Sequence, residues 1–150
     1  MPISNPLVNQ GSLNRVIASV SWPNFPGLNV TAAFLGREAI RFTPEGDATT
    51  FIGTLTGAVT SPEVYMMVTL GMHLLKTQSL AAAYQAQMQL DTRLGPGIVR
   101  PDVSTGIQPF QLANCAIMGF RELSFSGDDA GYRISCRGQW YVNSVLFNQA

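Results

Sequence analysis

Hydrophobic and polar positions alternate most persistently over residues 63–75. Val64, Met66, Val68, Leu70, Met72 and Leu74 fall on one side of the alternation. Glu63, Tyr65, Met67, Thr69, Gly71, His73 and Leu75 fall on the other. Successive strand side chains point to opposite faces, so the first set predicts one continuous apolar face. At roughly 3.3 Å per residue such a strand spans about 43 Å. A usual strand has about five or six residues, so this length fits a large sheet or a closed barrel. After Lys76, Thr77 and Gln78 the spacing changes. Leu80, Tyr84 and Met88 recur at i, i+4 and i+8, with Ala83 and Leu90 nearby. Ala81, Ala82, Ala83 and Ala86 add helix propensity. The pattern predicts a helix over 79–90, with Thr77 or Ser79 as its N-cap. Gln85, Gln87 and Gln89 fill much of the other side. This polar face is almost chargeless, which suits packing against a partner. A plain amphipathic helix covering its own sheet is the commoner explanation for the apolar stripe.

The other elements are shorter or less regular. Residues 15–22 alternate weakly and predict a strand ended by Pro23. A loop over 24–29, a short apolar run over 30–35, a turn at 36–38 and a short strand over 40–43 follow. Residues 44–50 form a polar turn and 51–55 a short strand, with 57–62 flexible. Together, 44–62 read as a protruding hairpin with a loop at its base, a kind of segment that often contacts partners. Gly95, Pro96 and Gly97 break the chain, and Pro101 limits 98–103 to an edge strand or extended loop. Residues 110–125 and 132–147 predict two long strands joined by the turn-rich loop 126–131, hence a hairpin. In the second of them, Ile134, Cys136, Gly138, Trp140, Val142 and Leu146 share one face with Ser144. Arg133, Ser135, Arg137, Gln139, Tyr141 and Asn143 share the other. The sheet is expected to be packed on one side and wet on the other. Residues 1–14, with Pro2 and Pro6, read as a frayed terminus or as an arm that orders against a neighbouring subunit. The elements sum to one mostly antiparallel β domain over 1–150 with one principal helix.

Composition sharpens this picture in one respect. Charged residues make up 12% of the chain and apolar residues 46%, whereas ordinary soluble domains carry about 25% charge. Much of the surface is therefore expected to be covered by copies of the chain or by partners. Nine basic and nine acidic side chains cancel. No basic excess exists to neutralise phosphates, which argues against tight nucleic-acid binding and against an anionic membrane surface. No stretch reaches the apolar length of a membrane helix, and the N-terminus lacks the pattern of a signal peptide. A cytoplasm is the expected place of synthesis and assembly. Cys115 and Cys136 sit in apolar, strand-like surroundings without a CxxC pair or a zinc-ligand set, so buried thiols are expected, with a disulfide between them left open. The sequence contains no dinucleotide, Walker, zinc-protease or serine-hydrolase motif. His73 is the single histidine and reads as a satisfied strand residue. Asp128 and Asp129 read as turn formers rather than cation ligands. No catalytic, metal or cofactor site is expected, and the chain is expected not to be an enzyme.

Three segments carry a resemblance: TLTGAVTSPEVYMMVTLGMHLLKTQSLAAAYQAQMQLDTRLG, the start MPISNPLVNQGSLNRVIASV, and the ending NCAIMGFRELSFSGDDAGYRISCRGQWYVNS. In order and spacing they resemble the tail tube proteins of contractile-tailed, myovirus-type bacteriophages. The resemblance implies an antiparallel β-sandwich or half-barrel with a flanking helix, shared with the needle proteins of type VI secretion. It implies hexameric rings whose sheets join into one barrel and which stack into a hollow tube in the virion tail, assembled in the host bacterial cytoplasm. DNA passes through that lumen without specific binding. Partners then include the tail sheath protein, the tape measure protein, and baseplate and tail terminator proteins, with no membrane partner. The family commonly has an electronegative lumen, whereas the polar face predicted here carries Arg133 and Arg137. Asn9, Gln10, Glu45, Asp47 and Thr50 become candidates for contacts between rings. Gln85, Gln87 and Gln89 become candidates for a surface facing the sheath or a neighbouring subunit. Val64, Met66, Val68, Leu70 and Met72 become the barrel wall. The rival readings are a tube-initiating baseplate ring or a needle-type secretion subunit, and, from a different class, a small β-barrel ligand-binding protein.

Overall fold

A computed structural model describes residues 11, 18–101, 106–121 and 123–147. Among these residues eight strands and two α-helices follow in chain order: β1 Ser19–Ser21, β2 Leu35–Glu45, β3 Thr49–Gly53, β4 Ala58–Pro62, β5 Tyr65–Leu75, α1 Ser79–Leu90, β6 Arg93–Arg100, β7 Phe110–Arg121, β8 Gly131–Tyr141 and α2 Ser144–Phe147. Six strands form one antiparallel sheet in the order β1-β6-β7-β8-β5-β2, and β3 and β4 form a separate hairpin. The protein is thus mainly β, with one principal helix. Of the predicted arm 1–14, residues 1–10 and 12–14, with Asn9 and Gln10, lie outside the described residues.

The long alternating stretch is β5, at the heart of the sheet. It pairs with β8 without interruption from Tyr65↔Tyr141 to Leu75↔Gly131, and with β2 on its other side. Val68, Leu70, Met72 and Leu74 are buried on one face, next to Tyr132, Ile134 and Cys136 of β8. Met66 is half-buried, and Val64 lies in a bend just before the strand. Helix α1 lies over this apolar face, burying Leu80 and Tyr84. The Trp22 Nε1–H donates to the Tyr84 hydroxyl at 3.0 Å, and that hydroxyl donates to the Leu28 carbonyl at 2.8 Å. Both polar tips of a large buried pair are thereby satisfied.

The sheet curls toward its apolar side. Phe42 of β2 stacks on Phe110 of β7 with ring centroids 4.1 Å apart, and both meet Trp140 of β8 nearly at right angles. In a flat sheet β2 and β7, separated by two strands, would stand roughly 14 Å apart. Their contact requires the curvature of a half-barrel.

Several predicted boundaries shift, each for a local reason. The expected turn at 36–38 lies inside β2, as a register irregularity between Leu35 and Ile40 with Ala39 at φ 53°. One left-handed residue bends the strand without ending it. The Gly95-Pro96-Gly97 break lies inside β6. Gly95 has φ +74° and the β6–β7 register shifts on both sides of it. β1 reaches only Ile98, Val99 and Arg100 of β6, so Pro96 has no partner on that side. A proline is tolerated there as on an edge. The strand predicted to continue to 147 ends at Tyr141. Asn143 has φ 53°, and Ser144–Phe147 turn into a short helix that leaves Leu146 exposed rather than on the packed face. Helix α1 starts after Gln78, whose side chain makes no capping hydrogen bond, so neither Thr77 nor Ser79 is the N-cap. Leu90, expected near the apolar stripe, is exposed.

Candidate functional site

The surfaces that distinguish this molecule are its hairpin, its polar sheet face and a groove at the far end of β5. Of residues 57–62, expected to be flexible, Ala58–Pro62 instead form β4, which pairs with β3 from Thr49↔Pro62 to Gly53↔Ala58. The pairing Ile52↔Val59 puts these two on one face of the hairpin, and Phe51 lies on the other. Phe51 is 72% exposed, Ile52 and Val59 are exposed, and Leu55 at the turn is fully exposed. Apolar residues on both faces of a two-stranded ribbon are unusual in a monomer, because such a ribbon is marginally stable alone. Its base is tied down: the Asn143 side-chain amide donates to the carbonyls of Ala48 at 3.2 Å and Glu63 at 2.8 Å, and Glu63 N–H donates to the Ala48 carbonyl at 2.8 Å. Asp47 and Thr50 sit at this base; Thr50 Oγ1 donates to the Ser61 carbonyl at 3.2 Å.

The other face of the sheet is polar. Two arginines of β8 reach across β5 to glutamates of β2: Arg137 pairs with Glu45 and Arg133 with Glu38. Thr69 of β5 donates to Glu45 at 2.6 Å, so Glu45 is held on its own chain's face. These pairs are partly exposed, so each contributes at most about 1 kcal/mol; their main effect is to neutralise charge. His73 stands opposite Arg133, between Gly36 and Gly131, and its Nδ1 accepts from Glu38 N–H at 3.4 Å. A Cβ at Gly36 or Gly131 would lie 2.3 or 2.2 Å from the His73 ring, so both glycines are needed to seat it.

At the far end of β5 lies a groove of about 390 Å³. Lys76, Ala81, Gln85, Phe120, Phe125 and Tyr132 contribute to its lining. Phe125 is 91% exposed. Tyr132 is buried, yet its hydroxyl has no hydrogen-bond partner. Burial pushes its pKa up to about 12. Gln85 and Gln89 of α1 are exposed, whereas Gln87 is half-buried and donates to the Asp91 carbonyl at 2.7 Å.

Little of the titratable chemistry is reactive. Cys115 and Cys136 are free and buried; burial raises Cys115 to about 11 and pushes Cys136 up further, with Cys115 nearby adding to it. Protonated, buried thiols are poor nucleophiles. Side-chain and backbone hydrogen bonds from Arg93 lower Asp91, and the Ser126 hydroxyl lowers Asp128. Among the described residues no group of three His, Cys, Asp or Glu is placed to hold a metal ion, and no helix is long and apolar enough to cross a membrane. Sequence reasoning missed the groove, because Phe125 was read as the end of a strand. The apolar tip had a visible signal: Leu55 stands alone among Thr54, Thr56 and Gly57. No protein-family model matches the chain, and no curated protein matches its sequence.

Proposed function

We propose that this chain is the structural subunit of a hollow tube, with six copies per ring and rings stacked end on end, as the resemblance to contractile-phage tail tube proteins implies. The observation that carries the reading is a half-barrel with a long open edge along β2, combined with an apolar hairpin that its own fold does not cover. The outer side of β2, eleven residues long, pairs with no other strand among the described residues. A long unpaired edge is a site of uncontrolled association unless another chain covers it. Pairing β2 of one copy with the part of β6 that β1 does not reach in the next closes a barrel around a six-fold axis and covers the open edge. The low charge of the surface fits extensive burial between copies. The polar face, with its internal Arg–Glu pairs, suits a lumen that lets DNA pass without holding it. In this arrangement α1, with Gln85, Gln87 and Gln89, stands outside the wall toward the sheath or a neighbour. Glu45, Asp47 and Thr50 stand near the ring-to-ring contact. The role is that of an assembled conduit, not of an enzyme. Native mass spectrometry of the purified protein tests the ring: species at multiples of six subunits are expected, and a series of dimers or trimers without a hexamer would count against it.

A further inference from the structure

β2 does not follow β5 evenly. Leu35 pairs with Leu74 and Ile40 with Met72, so residues 36–39 arch over a single residue of β5, His73. Ala39, at φ 53°, turns the arch back into the strand. The imidazole fills the arch, with Gly36 close against Nδ1 on one side and Gly131 close against Nε2 on the other. The Glu38 N–H donates to Nδ1 at 3.4 Å. An accepting Nδ1 carries no proton, so the neutral ring holds its proton on Nε2.

We propose that His73 is a proton-operated latch on the arch of β2. Neutral, it holds the Glu38 N–H; protonated, it releases that N–H and draws the Glu38 carboxylate away from Arg133. His73 is the chain's single histidine, and imidazole is the side chain that ordinarily changes charge between about pH 5 and 8. Once both ring nitrogens carry protons, Nδ1–H faces another N–H. Turning the ring over gives no relief, because both nitrogens then donate. The two glycine backbones leave the ring no room to slide aside, so the arch itself has to move. The charged groups around the ring direct that movement. A polar cavity of about 280 Å³ beside it is lined by Glu38 of β2, Arg133 of β8 and Asp129 of the preceding loop, with Gly131 and Tyr132. Arg133 stands directly opposite His73 and pairs with Glu38, so a second cation competes for that carboxylate. Arg121 of β7 lies beyond Arg133, and Arg41 of β2 lies opposite Gly71. Asp129 accepts from the Gly131 N–H at 3.2 Å, whereas Glu38 sits on the arch that moves. The outer side of β2 pairs with no other strand among the described residues, so the latch acts on the open edge of the sheet. Gain of the proton should therefore weaken edge-to-edge association, a consequence that rests on the tube reading, while the latch itself does not.

Hydrogen exchange of the β2 amides in the monomer, corrected for the intrinsic effect of pH, tests the latch. Amides of residues 35–42 should exchange about tenfold faster at about pH 5.5 than at about pH 8, the loss of one hydrogen bond, while those of β6 stay unchanged. In His73→Asn the side-chain carbonyl can still accept from the Glu38 N–H and takes no charge at either pH, so the difference should vanish. The imidazole nitrogen NMR shifts of the parent protein give a second reading that needs no variant. At about pH 8 they should report the Nε2–H tautomer. An Nδ1–H tautomer, equal exchange at both pH values, or a difference that survives in His73→Asn overturns the latch. Tubes that form from a protein whose β2 amides ignore pH overturn the latch and leave the tube reading standing. The pH-dependent exchange in a protein that never forms rings or tubes supports the latch and overturns the tube.

Discussion

At the residue scale the most telling constraints are those the chain places on its small side chains. A Cβ added at Gly138 would lie 2.6 Å from Cys115 Sγ and 3.3 Å from the Leu112 Cβ. Gly138→Ala is therefore an overpacking change and should destabilise the monomer by about 1–3 kcal/mol in urea unfolding. Adding Cys115→Ala should recover part of that loss, since it removes the nearest clashing atom; strict additivity of the two would show that the clash is elsewhere. Tyr84→Phe removes the acceptor for Trp22 and the donor to Leu28 together, leaving two buried groups unpaired, and should cost about 1–3 kcal/mol by the same measurement. The buried thiols and phenols set the alkaline limit. Burial raises Cys115, Cys136, Tyr84 and Tyr132 above their unfolded values of 9.0 and 10.0. The folded protein then holds protons that the unfolded chain releases. Their contribution is fully present below about pH 9 and is lost as pH rises through about 11 for Cys115 and about 12 for Tyr132. Melting temperature should fall progressively above pH 9; a flat profile to pH 11 would contradict the burial of these groups.

At the element scale, α1 begins without a side-chain cap at Gln78, whose φ of −100° and ψ of 152° already suit a capping residue. Gln78→Asp should stabilise the monomer by about 1 kcal/mol, and no gain in urea unfolding would mean that the backbone there cannot use a cap. The hairpin makes the opposite prediction. Its amides should exchange with solvent far faster than those of β5 and β8 in the monomer, and become protected on assembly. Asn143→Ala, which removes the two bonds at its base, should speed that exchange further without altering β5. What could be read in the sequence follows the same division. β5 and α1 were legible because long periodic stretches leave little choice: alternation over β5 and the i, i+4, i+8 series of Leu80, Tyr84 and Met88 each fit one structure. β2, β6 and the end of β8 were misjudged because glycine, proline and asparagine signal a break whether the strand ends or merely bulges. Only the neighbouring strands decide between these outcomes, as β5 does for Ala39 and β7 for Gly95. The groove was illegible for a related reason. It is assembled from α1, β7, β8 and the loop between those strands, residues that no local pattern brings together.

At the scale of the whole molecule, the fold is a half-barrel that covers its apolar face with one helix and leaves the β2 edge and one hairpin uncovered among the described residues. In the assembly we propose, sixfold edge pairing with head-to-tail stacking would cover these surfaces without any further element. The polar face then carries Arg133 and Arg137 already paired with Glu38 and Glu45. Separate neutralisation of the two glutamates, as Glu38→Gln and Glu45→Gln, should shift that face toward positive charge and slow the passage of DNA through an assembled tube while tubes still form. Unchanged passage would place this face away from the lumen. The central claim is assembly itself, and negative-stain electron microscopy of the purified protein tests it most directly. Hollow rings or tubes of constant diameter are expected as protein concentration rises. A monodisperse monomer at every concentration and salt condition would contradict the account.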